Sequence, residues 1–199
     1  HWEDFNNEIV NDWKTIASTL LSIPMAHQLI GFYTVPDNSD GTLKVMRSYQ
    51  YYAVNAISDK VSKTKWKEKK QLGGFIWHTT GAGKTMTSFK AAQLIAASKE
   101  ADKVVFLMDR IELGTQSLQQ YRGFADENES VQSTENTWEL KSKLISTNPE
   151  DALIVTSIQK MSNIKSDEEG ITNKDLLIMN SKRTVFIVDE AHRSTFGNM

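Results

Sequence analysis

Four short apolar runs recur along the chain after residue 46, and stretches with helical spacing separate them. The runs are short, rich in β-branched or aromatic residues and almost free of polar alternation, which is typical of strands buried on both faces of a parallel sheet. They are GFIWH at 74–78, KVVFLMD at 103–109, ALIVT at 152–156 and TVFIVDE at 184–190. Helices are predicted between them on the apolar positions of 86–96, 111–121 and 135–145. The alternation predicts an α/β fold with a mainly parallel sheet flanked by helices.

The first 45 residues follow a different pattern. Apolar residues at spacings of three and four predict one helix with a single apolar face that ends before Pro24. These residues are Trp2, Phe5, Ile9, Trp13, Ile16 and Leu20. A second apolar stretch at 25–35 ends in the turn-rich PDNSDGT at 36–42. We therefore expect a helical linker or tail of a preceding module at 1–45, and an α/β domain at 46–199.

Composition narrows the class of protein. The chain has 199 residues, of which 39% are hydrophobic and 24% charged, enough for one core with an appendage. It contains no cysteine and no apolar run near the roughly 20 residues of a membrane span, and it opens without a signal peptide. We expect a cytoplasmic protein from a bacterium or archaeon, and a fragment of a longer chain. The net charge of -2 means that any DNA contact must come from a local arrangement of residues.

A glycine-rich turn separates the first apolar run from the helix that follows. The stretch WHTTGAGKT at 77–85 matches the phosphate-binding pattern G-x-x-x-x-G-K-[ST], except that His78 occupies the first glycine position. Backbone amides of such a turn surround phosphate oxygens, while Lys84 reaches the β and γ phosphates and the Thr85 hydroxyl binds Mg²⁺. The predicted ATP-binding residues here are Thr79, Thr80, Gly81, Ala82, Gly83, Lys84 and Thr85. The alternative is a tight turn with a solvated lysine; His78 is interpreted as a packing residue.

An acidic pair ends the last apolar run, in VFIVDEAH. Two carboxylates at the end of a strand favour a cationic ligand, so Asp189 is the candidate for holding Mg²⁺. Glu190 is the candidate for orienting and deprotonating the attacking water, with Lys84 as the third catalytic residue. The alternative is an acidic first turn of a helix. His192 and Arg193 are candidates for coupling the nucleotide state to other parts of the protein, and a buried structural histidine is the alternative for His192.

These residues carry a family resemblance. TTGAGKT followed by DEAH resembles motifs I and II of superfamily 2 helicases and translocases. RSYQ at 47–50 resembles their adenine-reading motif, which implies that Gln50 binds the adenine edge and that Arg47 or a nearby aromatic residue supports the ring; a surface helix start is the alternative. FLMDRIELGTQ and IVTSIQK resemble the motifs that contact DNA. The resemblance implies phosphate contacts from Arg110, Thr156 and Gln159, and a solvated Arg110 is the alternative.

Four longer segments narrow the resemblance to the motor (HsdR-type) subunit of type I restriction-modification enzymes, over about 46–199. They are FIWHTTGAGKTMTSFKAA, VVFLMDRIELGTQ, IVTSIQKM and VFIVDEAHRSTFG. The resemblance implies a RecA-like domain that uses ATP and Mg²⁺ to move double-stranded DNA, and partners that include the methyltransferase and specificity subunits, with no membrane. It also implies a preceding nuclease and a second RecA-like domain with arginine fingers, neither of which is expected in this chain.

A group of residues near 59–70 partly matches a nuclease site, but it is not interpreted as one. Asp59, Glu68 and Lys70 lie in and just before the lysine-rich KVSKTKWKEKK, which lacks the proline and the strand character of a PD-(D/E)xK site and is interpreted as a solvated loop. Other classes remain as alternatives: another superfamily 2 translocase, a non-helicase P-loop ATPase, or a binding module with a dead nucleotide site. The intact Lys84, Thr85, Asp189 and Glu190 argue against the last.

Overall fold

The computed structural model of the chain describes residues 1–38, 40–68, 73–108, 122–124, 132–134, 136–164, 172–189 and 191. The chain divides into two compact units, His1–Leu94 and Ile95–Met199. No helix in the described ranges combines the length and apolar character needed to cross a membrane.

The described part of the first unit consists of two short antiparallel hairpins and helices that follow them. The hairpins are β1 (Trp2–Glu3) with β2 (Ile9–Val10), and β3 (Thr34–Asp37) with β4 (Thr42–Val45). The helices are α1 (Trp13–Ser18), α2 (Ile23–Phe32), α3 (Ser48–Ser62) and α4 (Lys84–Ser98), of which α4 continues into the second unit.

The single helix predicted across 2–20 is wrong. A hairpin occupies its first half, because the Asp4 carboxylate accepts hydrogen bonds from the backbone amides of Asn6 (2.8 Å) and Glu8 (3.0 Å) and closes a turn. Helix α1 begins only at Trp13, where the Asp12 side chain accepts from Thr15 N at 2.8 Å. Pro24 lies in the first turn of α2 and so does not end a helix.

The first 45 residues share a hydrophobic core with the helices that follow them. Its buried residues come from α2, the residue between α2 and β3, the residue after β4, α3 and α4, and the N-terminal hairpin packs against it through Trp2. They are Leu29, Tyr33, Met46, Val54 and Ala91. The hairpin is therefore attached to α3 by packing. The division predicted at residue 45 stays a prediction.

The second unit confirms the predicted α/β fold with a parallel sheet flanked by helices. Its described strands pair in the order β6-β7-β5-β8, and all pairs are parallel. The strands are β5 (Lys103–Met108), β6 (Gln132–Ser133), β7 (Leu153–Ser157) and β8 (Thr184–Val188). The helices are α5 (Thr137–Ile145), α6 (Ile158–Ser162) and α7 (Asn173–Ser181), with a 3-10 turn at Pro149–Asp151.

Three of the four predicted strands are found, and two of them are buried as expected. Strands β5 and β7 supply Val105 and Ile154 to a core that also contains Leu140 and Leu144 of α5. Strand β8 is only partly buried: it lies at an edge of the described sheet, and the Phe186 side chain is 47% exposed. The helices predicted at 86–96 and 135–145 are confirmed as α4 and α5, while the helix predicted at 111–121 lies outside the described residues.

The strand predicted at 74–78 is wrong. Residues 73–79 have no regular secondary structure, and Phe75 and Trp77 are 88% and 86% exposed. An apolar run favours burial but does not specify which strand it pairs with. None of the described strands pairs with residues 74–78. The turn and the helix of the phosphate-binding pattern are therefore present without a preceding strand.

Candidate functional site

The turn before α4 has the backbone shape that its glycines permit. Gly81 and Gly83 adopt left-handed conformations with φ of 79° and 76°. The amide of Ala82 donates to Thr79 O at 3.2 Å, and the amide of Thr87 donates to Gly83 O at 3.0 Å as the helix begins. Such a turn at a helix N-terminus presents amide groups and a partial positive charge to an anion.

The side chains predicted to hold phosphate and metal begin the helix. Lys84 and Thr85 are the first two residues of α4, and both are half-buried. In the part of the chain that the structure describes, no group of three or more histidine, aspartate or glutamate side chains is placed to hold a metal ion. Magnesium beside nucleotide phosphates usually keeps several waters and takes one or two protein ligands, so the Thr85 hydroxyl beside an anion-binding turn fits this ion.

Two side chains of α3 hold the turn through one carbonyl group. The Tyr49 hydroxyl donates to Ala82 O at 3.0 Å, and Gln50 Nε2 donates to the same oxygen at 3.1 Å. Gln50 Oε1 accepts from the Arg47 amide at 2.9 Å, and the side chain is only 3% exposed. The structure thus brings Arg47 and Gln50 to the turn. Their contact with adenine stays a prediction.

His78 packs against the same helix. Its ring meets that of Tyr49 edge-on, with centroids 5.6 Å apart and an interplanar angle of 89°. Burial lowers the pKa of His78, and the positive charge of Lys84 lowers it further. The imidazole is therefore neutral at pH 7, as suits a packing residue beside a cationic loop.

A cavity of about 480 Å³ adjoins the turn, a size typical of small-molecule sites. Its walls come from the first hairpin, the start of α3 and the segment 77–82. The lining residues are Glu3, Asn7, Arg47, Tyr49, Trp77, His78, Thr79, Thr80, Gly81 and Ala82. Glu3 and Asn7 were missed by sequence reasoning, because nothing in the sequence links a hairpin to a turn more than seventy residues away.

The acidic end of β8 lies at the carboxyl edge of the sheet. Asp189 follows the last residue of β8, and its amide donates to Leu107 O of β5 at 3.0 Å, which extends the ladder by one step. The side chain of Asp189 is half-buried. Glu190, His192 and Arg193 lie outside the described residues.

The predicted DNA contacts differ in exposure. Thr156 lies in β7 and is 2% exposed, and its hydroxyl accepts a hydrogen bond from Thr134 Oγ1 at 2.8 Å. Gln159 lies in α6 with an exposed side chain. Arg110 lies outside the described residues. Of Thr156 and Gln159, Gln159 has the surface that a phosphate contact needs, and the DNA contacts stay predictions.

Comparison with known proteins gives matches over the whole chain. A family model described as SWI2/SNF2 ATPase matches residues 49–199. The SsaAORF53P endonuclease subunit, a type I restriction enzyme subunit of Staphylococcus saprophyticus, is 36% identical over 200 residues, 100% of this chain and 20% of its own length.

One shorter relative and one relative of lower identity have similar names. A putative type I restriction enzyme MpnIIP endonuclease subunit, C-terminal part, from Mycoplasma pneumoniae is 36% identical over 203 residues, 100% of this chain and 95% of the relative. The type I restriction enzyme HindI endonuclease subunit of Haemophilus influenzae is 29% identical over 167 residues, 81% of this chain and 15% of the relative. The chain thus spans about a fifth of the staphylococcal subunit and nearly all of the mycoplasmal one.

Proposed function

Because the chain belongs to the SWI2/SNF2 ATPase family and to the endonuclease subunits of type I restriction enzymes, we propose that it forms the ATP-binding half of a motor that moves double-stranded DNA. The observation that carries this proposal is the turn at 79–83. Two left-handed glycines precede a helix whose first residues are Lys84 and Thr85, and an open cavity of about 480 Å³ lies beside the turn.

The residues divide between binding and chemistry. Amides of residues 79–83 hold the phosphates, Lys84 neutralises the β and γ phosphates, and Thr85 and Asp189 hold Mg²⁺. Bound Mg²⁺ supplies positive charge that neutralises the phosphoryl group being transferred. Glu190 orients and deprotonates the attacking water. His192 and Arg193 couple the nucleotide to movement, and Arg110 and Gln159 contact DNA phosphates. Thr156 is buried in β7 and is assigned no such contact.

The relatives support a larger assembly. Within a longer subunit, residues 1–45 connect a preceding nuclease module to the domain at 46–199, and a second RecA-like domain completes the ATP site. Partners are double-stranded DNA and the methyltransferase and specificity subunits of a type I complex. The length of the staphylococcal relative supports this arrangement, since this chain matches 20% of it.

The test is Lys84→Ala in the intact subunit. ATP turnover and DNA translocation are expected to fall at least about 100-fold, because the lysine charge on the transferred phosphates is lost. Lys84 begins a helix outside the core residues, so the fold should persist. The matched control is Lys63→Ala, which removes an exposed lysine paired with Asp59 on the surface.

Near-normal ATP turnover by a folded Lys84→Ala subunit would show that Lys84 and the turn at 79–83 do not form the ATP site. The effect of duplex DNA on ATP turnover distinguishes the motor from a non-helicase P-loop ATPase. Duplex DNA should stimulate ATP turnover by the motor, whereas ATP turnover that does not respond to DNA would favour a non-helicase P-loop ATPase.

A further inference from the structure

The first hairpin contributes two polar residues to the cavity beside the phosphate turn. Glu3 ends β1, and Asn7 lies in the turn between β1 and β2. Both precede residue 49, where the match to the ATPase family model begins. Their place in the cavity therefore lies outside the part of the chain that the ATPase family model matches.

Packing fixes the direction in which Glu3 points. The Trp2 ring lies 6.0 Å from the Tyr51 ring and 6.2 Å from the Tyr52 ring of α3. Successive residues of a strand face opposite sides, so Trp2 in the aromatic cluster places Glu3 on the other side. There the Ser48 hydroxyl donates to Glu3 Oε2 at 3.4 Å, at the start of α3, and His1 Nε2 lies 2.8 Å from Glu3 Oε1. A carboxylate has about four acceptor sites, so both contacts leave Glu3 able to accept a further hydrogen bond.

The turn holds Asn7 in a defined conformation. Asn7 has a left-handed φ of 62°, which asparagine tolerates better than most residues, and its amide donates to Asp4 O at 3.1 Å. The Asp4 amide donates to Glu8 O at 2.9 Å, which closes the hairpin. The cavity wall formed by Glu3 and Asn7 is thus built by backbone hydrogen bonds and aromatic packing.

The charge of Glu3 selects which part of a nucleotide it can face. A carboxylate accepts hydrogen bonds and repels phosphate, so its partner must be a donor on the nucleoside. Gln50, the residue predicted to read adenine, is 3% exposed and does not line the cavity. Nucleoside recognition in this conformation is therefore left to residues that line the cavity.

We propose that Glu3 and Asn7 form the nucleoside-binding wall of the ATP site, with Glu3 accepting a hydrogen bond from a ribose hydroxyl or from the 6-amino group of adenine. The inference rests on the proposed function, because it takes the turn at 79–83 as the phosphate end. The aromatic rings of Tyr49, Trp77 and His78 in the same cavity supply surfaces suited to a base or sugar.

The experiment measures nucleotide binding by the intact subunit, using calorimetry with Mg²⁺ and diphosphates that are not hydrolysed. The ligands are ADP, 2′-deoxy-ADP, 3′-deoxy-ADP and inosine diphosphate, which lacks the 6-amino group. We expect the unmodified protein to prefer ADP over one of the three analogues by about tenfold, the value of a charge-assisted hydrogen bond. Glu3→Ala should remove that preference, and the analogue concerned identifies the donor.

Matched variants separate the contact from damage to the fold. Glu8→Ala removes another glutamate of the same hairpin, one that does not line the cavity, and should keep the preference. Asn7→Gly keeps the left-handed backbone while removing the side chain, and should weaken ADP binding several-fold. Thermal unfolding reports whether each variant is folded.

The nucleotide preferences of the Glu3→Ala protein decide between a contact with the nucleoside and a structural role for Glu3. Loss of one preference in Glu3→Ala, with Glu8→Ala unchanged, supports the proposal. Unchanged preferences in a folded Glu3→Ala protein overturn it, even if all affinities fall together, because a structural role would weaken every ligand alike. If the unmodified protein binds no diphosphate and Lys84→Ala changes nothing, the proposed function itself has failed.

Discussion

Two glycines of the phosphate turn share a backbone conformation but differ in their surroundings. A Cβ at Gly83 would lie under 3.0 Å from Gln50 Nε2, whereas nothing lies within 4 Å of a Cβ at Gly81. Gly81→Ala should therefore cost only the left-handed strain of about 1 kcal/mol, and Gly83→Ala about 2 kcal/mol or more. Urea unfolding without nucleotide measures both.

Gln50→Ala provides the control for this comparison. Removing the side chain that meets the new methyl group should recover part of the Gly83→Ala loss, so the double variant is less unstable than the two single losses added together. Strict additivity would show that Gln50 does not contact the turn at this position.

Glu190 is the residue predicted to deprotonate the attacking water, so a substitution that removes only its basicity tests this role. Glu190→Gln keeps the shape of the side chain and loses its basicity, so Mg-ATP binding should remain while turnover falls by about 10³ or more. Equal losses of binding and turnover, from equilibrium binding and steady-state rates, would instead make Glu190 a metal or structural residue.

Lys103 is a buried lysine whose titration should be visible in stability. It is 2% exposed, and Nζ donates to Asp151 O at 2.8 Å. Burial, helped by the charge of Lys182, lowers the pKa of Lys103 from its usual 10.5 to about 8. The unfolded chain then binds more protons than the folded one between pH 8 and 10.5, so stability gains up to about 3 kcal/mol as pH rises through that window.

Lys103→Met isolates this effect. The free energy of unfolding of the unmodified chain relative to Lys103→Met should increase from pH 7.5 to 9.5 in urea titrations, because methionine has no proton to lose. A pH-independent difference would mean that Lys103 keeps its usual pKa.

At the scale of elements, α3 connects the first hairpin to the phosphate turn. Trp2 packs on one part of this helix, and Tyr49 and Gln50 on its first turn hold the carbonyl of Ala82. Tyr49→Phe removes one of the two hydrogen bonds and should raise the Kd for ADP by about three- to tenfold, since one hydrogen bond contributes about 1 kcal/mol.

Tyr51→Phe is the matched control on the same helix. The Tyr51 hydroxyl makes a long, exposed contact of 3.5 Å with Gln28, so its removal should leave nucleotide binding unchanged. If the Tyr49→Phe and Tyr51→Phe proteins bound ADP with equal affinity, the Tyr49 hydrogen bond would not contribute to the binding conformation of the turn.

At the scale of the whole molecule, we expect the 199-residue polypeptide produced alone to bind ATP weakly and hardly to hydrolyse it. In the family it resembles, the facing RecA-like domain supplies arginines worth about 10³ to 10⁵ in rate, and a half-open site leaves charges screened by water. Steady-state turnover with and without duplex DNA measures this. Robust DNA-stimulated turnover would require the two-domain motor proposal to be abandoned.

The predictions that succeeded rest on strong local patterns. Runs such as 103–109 and 152–156 predict buried parallel strands because both faces must be apolar, and they became β5 and β7. Spacing over 2–20 failed because the Asp4 turn outweighs helix formation there, and the spacing did not predict burial either: Phe5, Ile9 and Trp13 are 71%, 52% and 71% exposed. A short apolar periodicity thus specifies neither the backbone conformation of a segment nor its burial.

The sequence by itself determined the α/β class, the glycine turn before α4, and the position of Asp189 after a strand, since each depends on residues close together in the chain. Tertiary structure alone decided that Thr156 is buried, that Gln50 holds the turn, and that Glu3 and Asn7 line the cavity. These last facts depend on contacts between distant segments. The free energy of such contacts comes from packing and desolvation, which no local pattern of residue types records.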